Sequence, residues 1–414
     1  MSISRRFFLR NGAFALAGTT ALPGFLVRSV LAQTVTAPNR RLVVIFQRGA
    51  ADGLNIVVPY REKNYYAMRP SIGIPQNQVI DLDDFFGLHP SLAPFKPLYD
   101  SGHLAVVHAV GSPDMSRSHF DAQDYMESGT PGIKSTQDGW LNRALQAEDL
   151  RRREEHTAFR ALALGSEVPL TLAGKIPAIA LNNINSFAVG GRGPAPSPAA
   201  SAFEAMYGDS GDHIFHRAGE ETFEAVKMLR AANPAQYTPV AGVEYPKSEF
   251  GDSMRQIAQL LKANLGVEAA FTDVQGWDTH HNQGSVEGQL SNRLRDFSAG
   301  IAAFWQDMGD GAENITLVTM SEFGRTAREN GTGGTDHGHA NAMFVLGGDV
   351  KGGKVYGRWP GLDNDQLNQG RDLALTTDYR QVLAEVVNKT LGAAKYELVF
   401  PGAGLSSERF LRLV

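Results

Sequence analysis

Apolar residues in this chain gather into short, nearly continuous runs separated by polar, glycine-rich stretches. Residues 41–46, 104–110, 269–274, 315–320 and 342–346 each hold a mostly apolar run of strand length. Runs without inside–outside alternation suit strands covered on both faces, so they predict a largely parallel sheet with helices on either side. Elsewhere the period changes. Leu290, Leu294, Phe297, Ile301 and Phe304 recur at spacings of four, three, four and three, one stripe of an amphipathic helix. Val382, Val386 and Leu391 mark a similar stripe over 377–391, a short helical stretch covers 91–99, and another helix begins within 112–121. This alternation predicts an α/β fold: a doubly wound, mostly parallel sheet sandwiched by helices, over residues 41–412.

One segment breaks the rhythm. Residues 150–247 hold a Gly/Pro-rich stretch at 190–198 and a polar helical stretch at 213–232, which we read as a helical cap inserted into the main domain.

The N-terminus points to export. Ser4-Arg5-Arg6-Phe7-Phe8-Leu9-Arg10 reads as a twin-arginine signal, followed by an apolar stretch over 12–22 and a small-residue site at Val30-Leu31-Ala32. The apolar run is shorter than the ~20 residues that span a bilayer, which argues against an anchor. Residues 1–32 are therefore expected to be a signal peptide, delivering the mature protein to the periplasm or beyond. No later segment is apolar enough to cross a membrane. A net charge of −5 leaves no basic surplus for nucleic acid.

The chain has no cysteine, so any metal site must be built from imidazole and carboxylate. Such groups gather in three glycine-flanked stretches: Gly276-Trp277-Asp278-Thr279-His280-His281, Ser321-Glu322-Phe323-Gly324-Arg325-Thr326 and Gly334-Thr335-Asp336-His337-Gly338-His339. Asp278 and His280 follow one predicted strand, Glu322 follows another, and Asp52 follows the first. Open α/β sheets bind ligands where the carboxyl ends of the strands converge, so these residues are expected to meet despite their separation in sequence. Alternate spacing aims Asp278 and His280 one way, leaving His281 outside, and does the same for His337 and His339. Asp336 is a ligand or the carboxylate that orients a ligating imidazole. Glu322 is a ligand, a general base or a surface acid. Arg325 is a candidate for gripping an oxyanion in a forked geometry, or a member of an ion pair. In the Ser112–Asp121 stretch, Ser116 and Ser118 lie where a helix N-terminus would favour a nucleophile, although Ser118-His119-Phe120-Asp121 also fits a capping box. Arg117, His119 and Asp121 could serve the same site.

These motifs, with the Arg48-Gly49-Ala50-Ala51-Asp52-Gly53 turn and Arg117-Ser118-His119-Phe120-Asp121, resemble the DUF1501 family of exported bacterial proteins. That family is distantly similar to the alkaline phosphatase and sulfatase superfamily. The resemblance runs from about residue 41 onward. It implies an alkaline-phosphatase-like sheet with metals at the strand ends, held by Asp52, Asp278, His280, Glu322, Asp336, His337 and His339. It also implies a nucleophile near Ser116 or Ser118, with His119, Arg117 and Arg325 assisting. Glu322-Phe323 departs from the superfamily's Asp-His pair, which comes later here as Asp336-His337. Without cysteine, a formylglycine made from cysteine is excluded. The expected function is an exported hydrolase of phosphate or sulfate esters, small or polymer-borne. It would depend on a divalent metal, zinc first, with manganese or calcium as alternatives. The rivals are a non-catalytic binding or assembly protein and a metal-dependent carboxylic esterase.

Overall fold

The computed structural model describes residues 40–152, 156–184, 228–229 and 236–414. The expected signal peptide, the 190–198 loop and all but two residues of the expected 213–232 helix lie outside the described residues.

The apolar runs become strands β1 (Arg41–Gln47), β2 (Leu104–Gly111), β5 (Ala269–Val274), β6 (Ile315–Ser321) and β7 (Asn341–Gly347). With β3 (Ala161–Leu164), β4 (Ile179–Leu181), β8 (Lys354–Tyr356) and β9 (Thr377–Asp378) they form one nine-stranded sheet. Its order is β8-β2-β7-β6-β1-β5-β3-β4, with β9 beside β2. Strand β1 pairs in parallel with both β5 and β6, whereas β7 runs antiparallel to both of its neighbours. The expected cap insertion needs correcting at its start. Strands β3 and β4 fall inside 150–247, yet they extend the main sheet in parallel from β5, β3 fully buried and β4 half-buried at the sheet's edge.

Both faces of the sheet carry helices. On one face, Val43 and Ile45 of β1 pack against α3 (Glu249–Lys262) and α4 (Gln289–Met308), with Met254, Ile257, Leu294, Phe297 and Ile301 in one core. On the other, Leu42, Val44 and Phe46 meet α2 (Trp140–Arg152) and α5 (Tyr379–Leu391), with Leu141, Leu145, Val382 and Val386. Each large apolar side chain buried this way contributes about 1.5–3 kcal/mol, so the unbroken apolar run in β1 is the requirement of two cores. Helix α5 begins where the Asp378 side chain accepts from Arg380 N (2.9 Å) and stops at Gly392, whose φ of 71° suits the left-handed cap.

Strand direction places the chemistry. The carboxyl ends of β1, β5 and β6 lead into 48–52, 275–280 and 322–325, all at one edge of the sheet. Helix α1 (His119–Ser128) begins eight residues beyond β2 at the same edge. Because β7 runs the other way, the residues entering it, 336–340, arrive there too.

Candidate metal centre

At that edge four ligand-type atoms converge. His119 Nε2 lies 3.0 Å from His337 Nε2, and His280 Nε2 lies 2.9 Å from the same atom. Asp278 Oδ1 is 3.0 Å from His280 Nε2, 3.4 Å from His337 Nε2 and 3.6 Å from His119 Nε2. The ligand atoms of His119, Asp278 and His337 all fall within 4.8 Å of one another.

The opposite nitrogen of each ring meets an acceptor. His119 Nδ1 is 2.8 Å from Glu322 Oε1, His280 Nδ1 is 3.1 Å from Asp336 Oδ1, and His337 Nδ1 is 2.8 Å from the Arg117 carbonyl. Carboxylate and carbonyl oxygens cannot donate, so each Nδ1 carries the hydrogen, and in the neutral imidazole each Nε2 presents a lone pair. Three lone pairs and a carboxylate oxygen thus face one another, with Arg325 Nη2 (2.5 Å from Asp278 Oδ1) as the donor at their margin. Such a group holds together around a proton or a cation. Imidazoles backed by carboxylate or carbonyl are the arrangement that metal-binding histidines take. The atoms of His119, Asp278 and His337, 3.0–3.6 Å apart, also match three ligands of a tetrahedral ion with bonds of about 2.0–2.1 Å, whose ligands sit roughly 3.3 Å from each other, with His280 beside two of them. The residues therefore fit a divalent metal.

Glu322 backs the centre from inside. It is 1% exposed, and its Oε1 accepts from Gly49 N, Gln123 Nε2 and His119 Nδ1, each at 2.8 Å. Burial alone would raise its pKa, but these hydrogen bonds outweigh it and hold the carboxyl below the usual range. The bond to Glu322 in turn raises His119, while burial lowers His337. The turn after β1 supplies one of those donors. Gly49 has φ 114°, and a Cβ there would stand 2.7 Å from Asp278 N, so only glycine admits this approach.

The structure divides the expected site residues. Asp278, His280 and His337 meet, with His281 exposed, but the main chain turns at Asp278, where Thr279 N donates to the Trp277 carbonyl (2.9 Å), so extended alternation is not what brings Asp278 and His280 together. His119, expected to assist catalysis, joins them at ligand distance. Glu322 and Asp336 stand one step back, each behind a histidine.

Four expectations are corrected. Asp52 is fully buried, and both of its oxygens pair with Arg69 (2.7 and 2.9 Å) while Gln283 donates to one at 2.6 Å, so its oxygens are engaged by the fold and do not join the histidines. His339 points away from His337: its Nε2 sits 3.0 Å from the Ser112 carbonyl. The reason is that 336–340 is not regular strand, and the ladder shifts register between Asn341 and Ala342, so side chains no longer alternate. Arg325 cannot grip a substrate oxyanion. Its three nitrogens are taken by the carbonyls of Gly49, Ala50, Trp277 and Thr335 and by Asp278. Of the two readings of Ser118, the capping box holds: it caps α1, accepting from Asp121 N, while Ser116 Oγ accepts from Ser118 N. Among the described residues, neither hydroxyl is bonded to a histidine or carboxylate.

Local patterns do not mark Gln123, Arg371 and Asp372, which support the centre through long-range contacts, or Arg69, which holds Asp52. The capping signature before His119 was the one local sign that this histidine sits at a helix start near the edge.

Comparison with solved structures finds the C-terminal periplasmic domain of EcEptC from Escherichia coli in complex with Zn. It is 10% identical with a TM-score of 0.35, over 76% of this chain and 74% of that one. The lipoteichoic acid synthase LtaP from Listeria monocytogenes is 9% identical at 0.35, over 77% and 68%. The PsFucS1 sulfatase from Pseudoalteromonas sp. is 13% identical at 0.35, over 94% and 74%. No curated protein matches in sequence. The family described as "Protein of unknown function (DUF1501)" matches residues 39–397, and the chain belongs to it.

Proposed function

We propose that this protein is an exported, metal-dependent hydrolase of phosphate or sulfate esters. The observation that carries this reading is the meeting of three Nε2 lone pairs and Asp278 Oδ1, with every Nδ1 held by an acceptor. Three imidazoles and one carboxylate favour zinc over calcium, which takes oxygen ligands, and leave manganese as the alternative. His119, Asp278 and His337 would hold the ion, with His280 completing the set. When bound, the metal supplies Lewis acidity and lowers the pKa of water.

The chain's own groups do the rest. Glu322, Asp336 and the Arg117 carbonyl keep each imidazole in the Nδ1–H tautomer. Arg325 fixes Asp278. The centre opens to solvent on the side of Asp278, whose side chain is 46% exposed. Arg371 and Arg117, 39% and 29% exposed, flank His337 and offer positive charge to an anionic ester. With both serines engaged by backbone N–H groups, water is the better candidate for the attacking group than a serine hydroxyl. The twin-arginine signal supports export before or after the metal is loaded.

Elemental analysis of the purified protein, followed by a panel of phosphate, sulfate and carboxylic esters with and without chelator, tests the reading. Stoichiometric metal and chelator-sensitive turnover of phosphate or sulfate esters are expected. Absence of any bindable metal would sink it. Full occupancy without turnover of any ester would favour a binding or assembly role, and turnover of carboxylic esters alone would favour an esterase.

A further inference from the structure

Asp372 is fully buried in a segment that carries no ligand, yet it reaches the centre through one intermediary. Its Oδ2 pairs with Arg117 Nη2 at 2.5 Å, and the Arg117 main-chain carbonyl is the atom that meets His337 Nδ1 at 2.8 Å. The neighbouring Arg371 donates Nη2 to the His337 carbonyl at 2.9 Å. Two consecutive residues therefore hold His337 from both ends, one by its main chain and one through Arg117.

The setting shows that this contact is not incidental. Residues 113–118, between β2 and α1, form no helix or strand, so regular main-chain pairing does not fix the position of the Arg117 carbonyl. The Arg117 side chain is tied to Asp372 and to Gln369 Oε1 at 3.0 Å, which adds to the Ser116–Ser118 contact and the α1 cap on either side of it. Asp372 is itself held by main-chain bridges to Thr326 and Asn368, and Thr326 follows directly on Arg325, the residue that grips Asp278. The arrangement also leaves polar atoms without hydrogen-bond partners among the described residues: Asp372 Oδ1 and Arg117 Nε. Beyond an ion pair of 3.7 Å from Arg371 Nη1 to Oδ1, the short bond from Arg117 is the main partner of this buried carboxylate, and removing it would leave the charge poorly compensated.

We infer that Asp372 is a positioning residue for the metal centre, acting through Arg117 to hold His337 in the Nδ1–H tautomer with Nε2 turned toward His119, His280 and Asp278. This rests on the metal reading above for its consequence, but its geometric content stands apart from any metal. Loss of the Asp372–Arg117 pair frees the 113–118 segment, removes the acceptor from His337 Nδ1, and lets the ring exchange tautomers or rotate.

The test uses full-length mature protein carrying Asp372→Asn, Arg117→Gln, both together, or Arg117→Lys, which keeps a cation beside the buried carboxylate if the other changes prevent folding. Nitrogen-15 NMR of labelled histidines in the metal-free protein reads the tautomer, and competition with a chromophoric chelator reads zinc affinity. The wild type should show His337 as Nδ1–H, Asp372→Asn and Arg117→Gln should show mixed tautomers, and Arg117→Lys should stay closer to wild type. Zinc affinity should fall about 10–100-fold in Asp372→Asn and in Arg117→Gln, with the double variant no worse than the weaker single one. Unchanged tautomer in folded Asp372→Asn or Arg117→Gln, Arg117→Lys no closer to wild type than Arg117→Gln, or losses that simply add, would overturn the inference. A wild type that binds no zinc would remove the metal reading, while the tautomer comparison would still decide the role of Asp372.

Discussion

Glu322 Oε1 and His119 Nδ1 stand 2.8 Å apart across a separation of 203 residues, and that contact joins the end of β6 to the start of α1. Because Glu322 also takes Gly49 N and Gln123 Nε2, one buried carboxylate ties three separate segments of the chain to a single imidazole. Glu322→Gln should therefore weaken metal binding through His119 without removing a ligand. The expected loss is about 10–100-fold in zinc affinity, read by chelator competition. An affinity equal to wild type would show that Glu322 does not orient His119.

Metal should also stabilise the fold. A ligand that binds only the native state adds about 2.7 kcal/mol when present at 100 times its Kd. Zinc added to the metal-free protein should raise the thermal midpoint by several degrees. His119→Ala should lose most of this rise while the metal-free midpoint changes little. Equal shifts in the two proteins would place the metal somewhere else.

The Asp52–Arg69 pair is buried on both sides, with side chains 1% and 0% exposed. Arg69→Met would strand the Asp52 charge and should cost about 3–5 kcal/mol in urea unfolding. Asp52→Asn should lower stability too, yet leave the metal content per folded molecule unchanged. Loss of metal from folded Asp52→Asn protein would restore Asp52 to the ligand set.

His108, on β2, is 5% exposed and packs its ring against Phe86 at 4.5 Å. Burial pushes its pKa down to about 4 from 6.5. The unfolded chain therefore binds the proton first as pH falls, and stability is whole above about pH 6.5 and declines toward pH 4. Two and a half units correspond to about 3 kcal/mol over that window. His108→Phe should flatten this part of the profile. Urea midpoints at pH 7 and pH 4.5 measure it, and an equally steep fall in the variant would exclude His108 as its source.

Much of the architecture was present in the order of residues alone. The apolar runs of β1, β2, β5, β6 and β7 and the stripe of α4 follow from local periodicity, since each strand must feed two cores and each helix one. The residue types for a metal centre were equally visible, because a chain without cysteine has only imidazole and carboxylate to offer. Asp278-Thr279-His280 carried two of the centre's residues side by side, although the main chain there turns at Asp278 and is not extended. What the sequence could not decide was which acid meets which histidine. Asp52 looked like a ligand until Arg69, 17 residues away, was seen to occupy both its oxygens. His339 parted from His337 because the backbone before β7 bends, and Arg325 turned inward to main-chain carbonyls that no pattern announces. His119 entered the centre only because β7 runs antiparallel and carries His337 back to the edge where α1 begins. Local periodicity is settled by neighbours in the chain. Ligand choice is settled by strand direction and by competition among buried charges for partners, and those exist only once the sheet has closed around them.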